Sequence, residues 1–128
     1  MEKIGKKARK ASLHLSEINI KKRNEILKLF SKYLHANSNS ILHANKKDIF
    51  NAKSKKMRES IIQRLRLNER KIKQIINSIE QIIKFKDPTG KTLSSWKRPN
   101  GLVIKRMSMP IGVIGVIYES RPNVTSDV

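Results

Sequence analysis

Tyr118 to Asn123, YESRPN, brings a phenol, a carboxylate, a hydroxyl, a guanidinium and an amide into six consecutive residues. Open α/β sheets build ligand sites from polar groups that emerge at the carboxyl ends of their strands. The run ahead of this stretch suits such a strand. Ile111 to Tyr118 is apolar apart from Gly112 and Gly115, as expected of a strand buried on both faces. Asn123 follows Pro122 at the expected start of a helix. Its amide suits two tasks, capping that helix or donating hydrogen bonds to an oxyanion. Residue type alone favours the cap.

Other chemistries fit less well. The sequence has no cysteine, so these residues hold no disulfide, thiolate metal site or cysteine nucleophile. His14, His35 and His43 lie on separate predicted helices or their ends, and none has a second ligand at helical spacing. No metal site is expected. Gly112 and Gly115 sit inside the apolar run, and no third glycine follows at the dinucleotide-fingerprint spacing. They read as points of close backbone approach, not as a phosphate loop. Trp96 stands near a predicted hairpin turn with no aromatic partner for base stacking.

The formal net charge is +19, from 29 Lys and Arg against 10 Asp and Glu. Such a charge attracts nucleic acid and other polyanions. Yet 20 of the basic residues are Lys, and 18 Ile and 10 Asn accompany them. All three have A/T-rich codons. A nucleic-acid groove would favour Arg and clustered aromatics, and aromatics make up only 5% of the chain. Compositional drift is therefore favoured over a dedicated polyanion site, leaving weak non-specific nucleic-acid binding. A small basic module for nucleic acid or another polyanion is the alternative function.

The N-terminus, MEKIGKKARKASLHL, lacks the apolar core of a secretory signal. No run approaches the ~20 apolar residues of a membrane span. A cytoplasmic, membrane-free protein is the expectation, with an aliphatic core.

Positioning falls to helices first. Ile4, Ala8, Ala11, Leu15 and Ile18 mark one thin helix face that docks on another element. Asn19 is placed to cap a second helix with the stripe Ile26, Leu27, Phe30, Tyr33 and Leu34, ending near residues 35–37. Ser38 to Ser40 are candidate caps for a third, with Ile41, Leu42, Asn45, Ile49 and Ala52 on its face. Lys53 to Arg58 reads as a break, and Ser60 to Leu67 as a short helix. Asn68 caps the clearest helix, where Ile72, Ile75, Ile76, Ile79, Ile82 and Ile83 keep amphipathic spacing. Asp87-Pro88-Thr89-Gly90 stops it. Lys91 to Trp96 and Leu102 to Met109 then form strands around the Asn100-Gly101 turn.

Met109 to Val128, MPIGVIGVIYESRPNVTSDV, resembles the signature of the γ-glutamyl phosphate reductases, or glutamate-5-semialdehyde dehydrogenases, of the aldehyde dehydrogenase superfamily. His43–Lys53, Arg64–Ile75 and Asp87–Lys91 add weaker support. The resemblance implies an α/β fold: an N-terminal helical layer, then the first strands of a Rossmann-type cofactor domain. Residues 1–90 are the helical part of that domain, and 91–128 its hairpin and first buried strand. It implies NADPH-dependent reduction of γ-glutamyl phosphate to glutamate-5-semialdehyde in proline biosynthesis. In that reaction a cysteine thiolate attacks the acyl phosphate, and hydride resolves the thioester. Asn123 matches the superfamily's oxyanion-stabilising asparagine. Ile117, Tyr118 and Glu119 match the segment bordering the cofactor, although the turn is about two residues longer than in typical aldehyde dehydrogenases. Family members are several times longer and supply their cysteine downstream. The expectation is a truncated, inactive N-terminal portion that does not oligomerise.

Overall fold

The computed structural model describes residues 2–128. They fall into two compact units. One comprises Lys21–Phe85 with Val116–Val128, the other the residues up to Ile20 with Lys86–Gly115.

The first unit is helical. Helix α2, Ile20–Ala36, is separated from α3, Ser38–Ser54, by Asn37 alone. Asn37 turns the chain without leaving hydrogen-bonding range, because its backbone and side-chain nitrogens both donate to the Tyr33 carbonyl, at 3.0 and 2.9 Å. Ser38 to Ser40 are thus the first turn of α3 and not its caps, and Asn37 makes no side-chain cap bond. Helix α4, Glu59–Leu65, is short, and α5, Glu69–Lys84, is the amphipathic helix expected. Asn68 does cap α5, its side chain accepting from Lys71 N at 2.8 Å. This satisfies one of the four backbone donors left open at a helix start.

The core lies where α3 meets α4 and α5. Ala52, Ile62, Ile72 and Ile79 are each under 5% exposed. Each isoleucine buried this way contributes about 1.5–3 kcal/mol of apolar transfer. Asn45 sits among them, 4% exposed. Its Nδ2 donates to Leu65 O and its Oδ1 accepts from Leu67 N, both at 2.8 Å. A buried amide is tolerated because both its ends are used. The bonds fasten the end of α4 to α3 just ahead of α5.

The second unit holds α1, Glu2–Glu17, and an antiparallel hairpin of β1, Thr92–Lys97, and β2, Val103–Met107. Trp96 pairs with Ile104, and Lys97 with Val103 at the turn. Gly101 takes φ +87°, which its missing Cβ permits, and closes the turn by donating to Arg98 O. Asp87 Oδ1 accepts from both Thr89 N and Thr89 Oγ1, forming the stop after α5. Ser108 bridges back to Pro88 and Lys91, bracing the hairpin base.

Two further expectations fail. Helix α1 forms, but none of its residues is buried. Ile4 and Leu15 remain largely exposed: the spacing specified the helix and not a partner for it. The larger correction concerns Ile111 to Tyr118. It is not a strand and not buried. It has no place in the two-stranded sheet, and Ile111 is 90% and Ile117 100% exposed. The physical reason is twofold. A strand needs a hydrogen-bonded neighbour, and no described strand stands beside it. At Gly112 the backbone also turns to φ +106°, outside the β region.

Candidate functional site

The polar stretch at 118–123 turns twice. Ser120 takes φ +51°, a left-handed conformation uncommon for a residue with a Cβ. A final helical turn follows, α6, Val124–Asp127. The Asn123 carbonyl anchors it by accepting from Ser126 N, Asp127 N and Ser126 Oγ.

Asn123 does not cap α6 with its side chain. Its backbone is already helical, at φ −63° and ψ −31°, and it makes no side-chain cap bond. The amide turns along the helix instead, and Nδ2 donates to Asp127 Oδ2 at 3.0 Å. The cap favoured by residue type is thereby replaced by an amide–carboxylate pair. A second bond crosses the same turn, with Tyr118 Oη and Thr125 Oγ1 2.9 Å apart. It ties the end of the apolar segment to α6. Thr125 and Asp127 are the residues that sequence reasoning missed. The available signal was spacing, since Asn123 and Asp127 are four residues apart and so share a helix face.

Of the other sequence-predicted residues, Ile117 is fully exposed, Tyr118 is 44% exposed, and Glu119 is exposed beside them. The three histidines do not converge, and among the described residues no group of His, Asp and Glu could hold a metal ion. No described helix is long and apolar enough to cross a membrane. The concavities of the helical unit are formed by other residues. One of about 380 Å³ between α2 and α5 is lined by Lys28, Ser31, Lys32, His35, Ile76, Glu80 and Ile83.

No protein-family profile matches the chain. Individual relatives do. Over 127 residues the chain is 42% identical to γ-glutamyl phosphate reductase of Dictyoglomus thermophilum, covering 99% of this chain and 30% of that protein. To the reductase of Caldicellulosiruptor bescii it is 46% identical over 122 residues, 95% of this chain and 29% of the other. Crystal structures agree. The Thermotoga maritima reductase superposes with a TM-score of 0.88 at 40% identity, over 94% of this chain and 29% of that one. The Saccharomyces cerevisiae reductase gives 0.92 at 34% identity, over 98% and 32%. The chain resembles γ-glutamyl phosphate reductase over that enzyme's N-terminal portion. It spans about 30% of the length of the curated relatives it matches.

Ile117 and Tyr118 expose apolar surface at the end of the run. A phosphate cradle is not formed here. The two glycines of the run have open space where a Cβ would stand, and the helix that follows them, α6, is a single turn of four residues, too short to present a row of free amides to a phosphate. These residues do not form a complete dinucleotide site by themselves.

Proposed function

We propose that these residues form the N-terminal part of a γ-glutamyl phosphate reductase, which reduces γ-glutamyl phosphate to glutamate-5-semialdehyde in proline biosynthesis. The supporting observation is that similarity to reductases runs through at least 94% of the chain in both sequence and structure. In this reading residues 1–90 are the helical part of the cofactor domain and 91–128 its hairpin and site-bearing segment. The Rossmann-type sheet of that domain would take up Ile111–Tyr118 as a strand. NADPH supplies the hydride when bound. Ile117, Tyr118 and Glu119 border it, without holding it by themselves. Asn123 donates its amide to the oxyanion that develops on the acyl oxygen.

The chemistry needs a thiolate to attack the acyl phosphate, and these 128 residues contain no cysteine. By themselves they do not turn over. The test is to fuse the chain in frame to the remaining portion of the D. thermophilum reductase and follow NADPH oxidation with γ-glutamyl phosphate generated in situ. The fusion is expected to turn over, and the chain alone is not. A soluble, folded fusion with no activity would overturn the assignment. Turnover by the chain alone would overturn its inactivity.

A further inference from the structure

We propose that Asp127 is a positioning residue for the Asn123 amide, fixing which of its atoms faces an oxyanion. The inference rests on the reading of Asn123 as the oxyanion donor.

An exposed asparagine has a problem in that role. Its terminal torsion is broad and roughly two-fold, so the amide can present either nitrogen or oxygen. Presented the wrong way, the Oδ1 dipole repels the charge it should stabilise. Preorganisation is what gives such donors their effect.

Asp127 removes the ambiguity. An ionised carboxylate only accepts hydrogen bonds, so its contact with Asn123 selects Nδ2 over Oδ1. The bond, 3.0 Å to Oδ2, engages one of the two Nδ2 hydrogens. The amide is planar, so holding one hydrogen sets the direction of the other. That second hydrogen is the one left for a ligand. Asp127 is itself placed by the backbone, because its N–H donates to the Asn123 carbonyl at 3.1 Å. The two residues close a ring at both the main-chain and the side-chain level. The Tyr118–Thr125 bond at 2.9 Å holds the approach to the same turn.

The first experiment uses this chain, labelled with 15N, and reads the Asn123 side-chain amide by NMR. In the native chain one Nδ2 hydrogen should show the downfield shift and slowed exchange of a hydrogen bond, beyond the separation that any primary amide shows. Asp127→Ala should remove that excess, and Asp127→Asn, which keeps an acceptor oxygen, should restore part of it. Identical Asn123 signals in native and Asp127→Ala chains, with the α6 backbone shifts preserved, would overturn the inference.

A double-mutant cycle in the active fusion separates the two readings. Asn123→Ala should lower kcat roughly 10²–10³-fold. Asp127→Ala should lower it on the order of tenfold to a hundredfold, with KM little changed. Asp127→Ala should add nothing once Asn123 is already alanine. If Asn123→Ala leaves kcat intact, the oxyanion reading falls. If Asn123→Ala is costly while Asp127→Ala is silent, or acts equally without Asn123, the oxyanion reading stands and the positioning role falls.

Discussion

Asn45 on α3 holds Leu67 by its backbone N–H at 2.8 Å while the other end of the same amide holds Leu65. One buried side chain thereby ties the end of α4 to the residue ahead of the α5 cap. Asn45→Ala should leave a carbonyl and an N–H unpaired and destabilise the chain by about 2 kcal/mol. Asn45→Asp should not rescue it, since a carboxylate cannot donate to Leu65 O. Urea denaturation of the three chains checks both statements.

The isoleucines of α5 should separate by burial, not by spacing. Ile79 is 3% exposed and Ile82 is 50% exposed, though both lie on the apolar stripe. Ile79→Ala should cost about 3 kcal/mol through lost transfer energy and the cavity left behind. Ile82→Ala should cost less than about 1 kcal/mol. Equal losses in urea midpoint at constant slope would contradict the placement of the core.

The apolar segment 111–117 should behave as surface in this chain. Ile117→Lys removes a fully exposed apolar side chain and should shift stability by less than about 0.5 kcal/mol. It should also reduce dye binding and aggregation, because an unpaired apolar segment is an association hazard. A marked loss of thermal stability would place Ile117 in a packed site instead.

The charge of +19 should give only non-specific attraction to polyanions. Fluorescence anisotropy with a labelled RNA or DNA oligomer should show binding at low salt. Its affinity should fall on the order of 10³-fold or more between about 50 and 200 mM salt. Tight binding that survives about 200 mM salt would instead support a dedicated nucleic-acid module.

The sequence by itself determined the local structure. The α5 stripe, its Asn68 cap, the Asp87–Gly90 stop and the Asn100-Gly101 hairpin each depend on neighbours in the chain. Each was legible from residue type and spacing. The resemblance was legible in the same way, because a signature is contiguous. Tertiary structure decided what depends on partners distant in the chain. Spacing placed Ile4 and Leu15 on one face of α1, but only packing could bury them, and it does not. An apolar run made 111–118 read as a strand, but a strand exists through its neighbour, and here the run is unpaired and exposed. The use of Asn123 is the finest case. Its type favoured a cap, and its backbone conformation removed that option. The carboxylate one helical turn on then took the amide.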